Sequence, residues 1–461
     1  MSKTLKLISP VDGKLYAERP VASRTEIEAA LAAARRAQGA WAARPLAERA
    51  AMVREAVARL RAVNDEVVPE LAWMMGRPVR YGGEIRGVEE RALHMADIAE
   101  QALAPVVIED SARFRRVIKR EPLGVVMVIA PWNYPYLTAI NALAPALIAG
   151  NAVILKHATQ TLLAGERLER AFAEAGLPEG LFRNLALDHE ATEAMLGRRA
   201  VDFVNFTGSV GGGRAIERAA AGSFIGLGLE LGGKDPGYVR ADAEPATAAE
   251  QLMDGALFNS GQCCCGIERI YVAEPLFDDF VEKAVEIAEG QVLGDPLEPG
   301  TTLGPMAQPR FARLVREQVN EAVAAGARAL VDARRFPADD GEGAYLAPQV
   351  LVDVDHSMQL MRQENFGPVV GIMAVKDDEE AIRLMNDSEY GLTAAICTGD
   401  PDAAEALGAR IETGTVFMNR CDYLDPALCW TGRKNTGRGA SLSALGYQNV
   451  SRPKSYHLRR A

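Results

Sequence analysis

The chain has 461 residues, 48% of them apolar and 25% charged, with 51 Lys and Arg against 62 Asp and Glu for a formal charge of −11. That length implies two or three domains with sizeable cores, and the composition is that of an ordinary soluble globular protein. An acidic balance without a long basic run argues against nucleic acid as the main partner, but leaves room for an anionic small substrate met by a local basic group.

The N-terminal stretch "MSKTLKLISPVDGK" lacks the apolar core of a secretory signal. The longest apolar run, "LTAINALAPALIAGNAVIL", carries Asn, Pro and Gly, and reads as a buried helix leading into a strand, not a bilayer span. No membrane partner is expected, and the expected location is the cytoplasm. Residues 24–63 are rich in Ala, Arg and Glu at helical spacing and read as solvated amphipathic helices. From about residue 122 strands and helices alternate: "LGVVMVIAP", "NALAPALIAG", "NAVILKHA", "GERLERAFAEAG", "FRNLAL" and "DFVNFTGS". That alternation predicts a doubly wound, mostly parallel sheet. A second alternating block follows residue 260, and the Gly- and Pro-containing "LELGGKDPGYV" between them reads as a hinge. Residues 113–124, "RFRRVIKREPLG", and the tail "RPKSYHLRR" alternate polar and apolar residues like edge strands, which need a partner. They point to self-association.

Six cysteines stand at 263, 264, 265, 397, 421 and 429. Adjacent cysteines make a poor disulfide framework, and a chain this long needs no staples. There is no CxxC pair and no HxxxH, and the five histidines are scattered singly, so no metal site is expected.

The trio Cys263–Cys265 lies in "FNSGQCCCG", small and polar enough to form a tight loop feeding a helix. A thiol there becomes a nucleophile only as thiolate; the bland alternative is a buried structural thiol. "APWNYPY" puts Trp132 and Asn133 just after a strand, where open α/β sheets present ligand-binding groups. An amide there suits a developing oxyanion, and equally suits a proline-flanked turn. "FTGSVGGGRAI" places Gly208, Ser209 and Gly213 between a strand and a helix, which suits close approach to a pyrophosphate, although the spacing is not GxGxxG. Glu230, in "LGLELGGKDP", is a lone carboxylate in apolar surroundings, either a base with a raised pKa or a hinge residue on the surface.

Taken together, "PWNYP", "GSVGGG", "LELGGKDP" followed by "FNSGQCCC", and "ENFGPVV" occur in the order found in the aldehyde dehydrogenase superfamily, which this chain resembles over nearly its whole length. The resemblance implies an α/β fold of two doubly wound domains, a variant Rossmann cofactor domain and a catalytic domain, with a small β oligomerisation extension. It places the dinucleotide-binding domain at residues 1–103 and 123–230, the catalytic domain at 231–434, and the oligomerisation strands and tail at 104–122 and 435–461. In the family's Gly-Gln-x-Cys pattern the nucleophile becomes Cys264, with Cys263 and Cys265 lining the pocket. Asn133 becomes the oxyanion donor, joined by the Cys264 main-chain N–H, and Glu230 the general base. Lys156, Thr159, Trp132, Gly208, Ser209, Gly213, Glu364 and Phe366 become cofactor contacts. The implied reaction is NAD(P)-dependent oxidation of an aldehyde to a carboxylic acid by a homodimer or homotetramer. The alternatives are a CoA-acylating relative, disfavoured because that branch typically lacks the glutamate matched by Glu230, and a silent nucleotide-binding member.

The chain departs from the family pattern in places. Thr159 stands where a ribose-binding glutamate is usual, which removes a charge that would repel a 2′-phosphate; Lys156 and His157 then become its expected partners, and both NAD and NADP are expected to serve. Asn141 replaces a large aromatic, and Tyr423, Leu424 and Trp430 are candidates for the substrate entrance. No arginine stands out as a partner for a substrate carboxylate.

Overall fold

The computed structural model describes residues 3–460. Runs such as Val125–Ala130, buried at every position, form strands covered on both faces, as parallel sheets require. With Ala152–His157, likewise buried throughout, Val125–Ala130 stands at the centre of the five-stranded parallel core of one sheet, in the order Gly226–Glu230, Phe203–Thr207, Val125–Ala130, Ala152–His157 and Phe182–Asn184. The order reverses between Val125–Ala130 and Phe203–Thr207. In such sheets the crevice at that switch point, beyond the carboxyl ends of the strands, is the ligand-binding position. Trp132 and Asn133 follow one of these strands, and Gly208 and Ser209 follow the other.

Beyond Glu230 the chain crosses into a seven-stranded sheet that begins with Asp235–Val239 and includes Ile267–Ala273, Val369–Val375 and Thr393–Cys397. Every pairing in it is parallel except that of Arg328–Ala329 with Gln349–Val352. Leu231–Lys234 is therefore the crossing between sheets, where the Gly-rich stretch suggested a hinge.

A third sheet has the order Ser451–Arg459, Phe114–Pro122, Val106–Asp110. Phe114–Pro122 is its central strand, paired on both sides. The expectation of an edge strand there is corrected: the tail supplies one neighbour and the upstream strand the other. The apolar edge is instead Val106–Asp110, where Val106, Val107 and Ile108 are more than half exposed. The tail also divides. Gly437–Arg438 pairs with Gly226–Glu230 in the six-stranded sheet, and the helix Ser443–Asn449 packs on the helix Ile85–Ala102, so only Ser451–Arg459 joins the small sheet.

Candidate active site

The cysteine loop is built by close backbone packing. Asn259 and Ser260 hold φ of +54° and +57°, and Gly261 follows at +69°. A Cβ on Gly261 would lie 2.1 Å from the Gly367 carbonyl oxygen, so only glycine lets the "NSGQ" and "ENFGP" segments meet. A Cβ on Gly233 would lie 2.7 Å from the Cys264 carbonyl oxygen, which brings "LELGG" against the same loop. The Gln262 side chain accepts from Ala307 N at 2.7 Å and donates to Asn259 O at 3.2 Å. The loop leads into the strand Ile267–Ala273, not into a helix as expected.

The thiols act on one another. Cys263 and Cys265 are buried, whereas Cys264 is half-buried. The three sulfurs lie within 4.8 Å of one another, a donor grouping the linear spacing did not suggest. Cys263 Sγ and Cys265 Sγ lie 3.5 Å apart, and each is within 3.1 Å of Asp422 Oδ1. Burial pushes the Asp422 pKa well up. Hydrogen bonding within the trio pushes Cys263 up to about 12 and Cys264 down to about 6. The trio therefore favours ionisation at the central sulfur over its two neighbours. Alkylation of Cys264 by iodoacetamide is expected to accelerate through an apparent pKa near 6, followed by peptide mass spectrometry; an inflection near that of an ordinary thiol, about 8.5, would remove this account.

A cavity of about 280 Å³ is lined by Cys263, Cys264, Cys265, Glu230 and Asp422 on one side and by Tyr134, Leu137 and Asn141 on another. Tyr423, Leu424 and Trp430 line it too, as expected from the unusual C-terminal segment. Glu230 ends its strand at the cavity, accepting from Thr207 Oγ1 at 3.2 Å, and burial raises its pKa. Asn133 is buried beside the cysteine loop, its Nδ2 donating to Gln262 O at 3.2 Å with one amide hydrogen free among the described residues. The Cys264 main-chain N–H has no acceptor among the described residues.

Sequence reasoning missed the support of this region. Arg77 donates to Glu84 at 2.7 Å, to Asn133 O at 2.5 Å and to Asn259 Oδ1 at 3.1 Å, all buried. Glu84 also accepts from the main-chain N–H groups of Tyr136 and Leu137, capping the helix Pro135–Ile148 that follows Asn133. Asp422 directly precedes Tyr423 and Leu424, which the sequence did point to as candidates for the substrate entrance. None of these has a local pattern, because each acts on residues distant in sequence.

The remaining predicted residues form a second group across the sheet crossing. Lys156, at the end of its strand, is buried, and its Nζ makes a single long bond of 3.4 Å to His157 O. Among the described residues Glu364 is met only by Gly233 N, at 3.2 Å, and burial pushes its pKa up to about 8. An amine and a carboxylate so poorly satisfied fit hydroxyl groups of a ligand. Trp132 packs edge-on against Phe366, with ring centroids 5.6 Å apart, linking the two sheets' motifs. Phe366 N donates to Glu268, which forms a buried 2.7 Å ion pair with Lys234. Ser209 caps the helix Val210–Ala220 through Gly212 N at 3.2 Å, and Gly208 lies just before it. Gly213 differs from expectation: it is buried, and a Cβ there would meet Leu231 at 2.7 Å, so it serves helix packing. Thr159 is half-buried, and its hydroxyl makes no hydrogen bond among the described residues. His157 is no phosphate partner, since its ring is buried between Pro135 O at 3.0 Å and Thr161 Oγ1 at 3.2 Å, and burial pushes it down to about 4, leaving it neutral.

Residues 1–456 match the profile of the aldehyde dehydrogenase family. The chain is 32% identical to a succinate-semialdehyde dehydrogenase [NADP(+)] of Deinococcus radiodurans over 449 residues, 97% of this chain and 93% of that protein. It is 36% identical to a 3,6-anhydro-alpha-L-galactose dehydrogenase of Streptomyces coelicolor over 468 residues, 99% and 94% of the two. The solved structure of a succinic semialdehyde dehydrogenase from Streptococcus pyogenes in complex with NADP+ superposes with a TM-score of 0.93 at 28% identity, covering 99% of this chain and 100% of that one. The chain therefore belongs to the aldehyde dehydrogenase family, as an oxidoreductase that acts on aldehydes with a nicotinamide dinucleotide.

Proposed function

We propose that the protein oxidises a small aldehyde to the free carboxylic acid, with Cys264 as nucleophile, Asn133 as oxyanion donor and Glu230 as general base. The carrying observation is the shared cavity: the acidified Cys264 thiol and Glu230 both line it, where the two sheets meet. The Cys264 thiolate attacks the aldehyde carbon. The oxyanion that forms accepts from the free Asn133 amide hydrogen and the Cys264 main-chain N–H. Lys156, Thr159, Trp132, Gly208, Ser209, Glu364 and Phe366 hold the dinucleotide, and Gly213 closes the helix beneath it. Bound there, the nicotinamide supplies the hydride acceptor. The acyl group is left as a thioester on Cys264. Glu230 takes a proton from water, whose oxygen attacks the thioester carbon and expels the thiolate. The presence of Glu230 favours water over CoA as acyl acceptor, so the product is the acid.

Residues 1–103 and 123–230 are proposed as the dinucleotide-binding unit, 231–434 as the catalytic unit, and the small sheet as the oligomerisation element. The exposed Val106, Val107 and Ile108 support a homodimer or homotetramer. No described helix is long and apolar enough to cross a membrane, and the cytoplasm remains the proposed location.

With no carboxylate at Thr159 and Lys156 nearby, both NAD and NADP serve. The test is an aldehyde panel with each cofactor, read at the reduced-cofactor band with acid product identified. Thr159→Glu is expected to lower kcat/KM for NADP about 10²-fold through like-charge repulsion, with a much smaller effect on NAD. Exclusion of NADP by the unaltered enzyme overturns the dual-cofactor assignment.

A further inference from the structure

We propose that Arg91 anchors a carboxylate at the far end of the aldehyde, making the enzyme selective for substrates that carry an acid group. The inference rests on the reading above that aldehydes react in the Cys264 cavity, and it adds the substrate class.

Arg91 lies on the helix Ile85–Ala102, is 9% exposed, and lines the same cavity as Cys264 and Glu230. It makes two hydrogen bonds, both through Nη1: to Leu137 O at 3.3 Å and to Asn141 Oδ1 at 3.2 Å. Its Nε and Nη2 donate to nothing, and it forms no ion pair, among the described residues. The contrast is Arg77 on the same cavity wall, whose guanidinium is engaged by Glu84, Asn133 and Asn259. The cavity thus has one satisfied guanidinium and one with most of its fork unused.

Arginine stays ionised in proteins, so a buried guanidinium calls for an anion or a set of acceptors. The acidic groups facing Arg91 do not supply one. Glu84 is paired with Arg77, and Asp422 accepts from the Cys263 and Cys265 thiols at 3.1 and 3.0 Å and forms no ion pair with Arg91 among the described residues. Glu230 accepts from Thr207 and forms no ion pair with Arg91. Glu90 is exposed and takes the Tyr423 hydroxyl at 2.7 Å. The aldehyde's reaction partner Cys264 is on the same cavity, so a bifunctional molecule presents its aldehyde to the thiol and its acid to the guanidinium. Asn141 takes part: its amide oxygen is one of the two groups that hold Arg91 among the described residues. A planar fork matches a carboxylate through two parallel N–H···O bonds, whereas an aldehyde bearing an ammonium group would meet like charge.

The experiment compares kcat/KM of the full-length enzyme for four- to six-carbon aldehydes ending in a carboxylate, in its methyl ester, or in an ammonium group. The acid is expected to be preferred over its ester by about 10- to 100-fold, mostly through KM, and the ammonium compound to be poorest. Arg91→Met, matched in length, is expected to bring the acid-to-ester ratio close to one, and Arg91→Lys to restore part of it. A second readout needs no turnover: glutarate slows Cys264 alkylation in the natural enzyme and not in Arg91→Met, whose fold is checked by its thermal transition. An enzyme that treats acid and ester alike, or an Arg91→Met variant that keeps the preference or the glutarate protection, overturns the assignment. Failure of every aldehyde with both cofactors instead overturns the aldehyde-oxidising reading of the cavity, and the glutarate experiment still decides Arg91.

Discussion

Cys264→Ser is expected to lower aldehyde oxidation by at least about 10⁴-fold while dinucleotide binding, followed by fluorescence, persists. A serine hydroxyl ionises far above a thiol, and no histidine or amine is hydrogen-bonded at position 264 among the described residues to take its proton: the neighbours are two thiols and the Asp422 carboxyl, all with pKa values pushed up. Cys263→Ala and Cys265→Ala test a different property, since alanine, unlike serine, leaves no donor in place of the thiol. Each removes one of the hydrogen bonds that push the Cys264 pKa down. Both variants are expected to keep turnover but to move its acid limb toward higher pH, because the thiolate then forms only as pH approaches the ordinary thiol range. Turnover by Cys264→Ser within about tenfold of the natural enzyme would remove Cys264 from the chemistry.

Glu230→Gln separates the two halves of the reaction. Hydride transfer needs the thiolate and the oxyanion donors, all present in this variant. Release of the acid needs a base for water. A burst of about one equivalent of reduced dinucleotide per site is therefore expected, followed by turnover slowed about 10²- to 10⁴-fold. In the natural enzyme burial raises the Glu230 pKa, so its carboxylate form is lost at a higher pH than an exposed glutamate would lose it. The steady-state rate should accordingly fall in acid from above the usual carboxylate range, while burst size follows Cys264 instead. Rapid-quench and stopped-flow absorbance measure both phases. Loss of the burst itself would show that Glu230 acts before the thioester, contrary to the base role.

The sheet-forming runs and most site motifs were legible in the chain because each is local. An apolar stretch such as "VVMVIA" specifies a doubly covered strand wherever it lies, and "PWNYP" or "ENFGP" carries its turn residues within a few positions. Thus Cys264, Glu230, Lys156 and Glu364 were all named from sequence, and all four line the cavity or the adjoining group. The central position of Phe114–Pro122 was not legible, since an alternating strand reads the same with one neighbour or two, and its second neighbour arrives from more than three hundred residues away. The inward turn of His157 was likewise invisible: beside Lys156 it looked like a second cation, but its ring acceptor, Pro135 O, comes from another element.

By itself, then, the chain's order of residues determined the α/β alternation and the family, and singled out Cys264 as the proposed nucleophile, all carried by short contiguous patterns. Tertiary structure alone decided how that thiol is acidified, what supports Asn133, and that Arg91 stands unpaired beside Asn141. The physical reason is the same in each case: a pKa shift, a buried ion pair and an unmet charge depend on which distant groups share a dehydrated space, and separation along the chain says nothing about that.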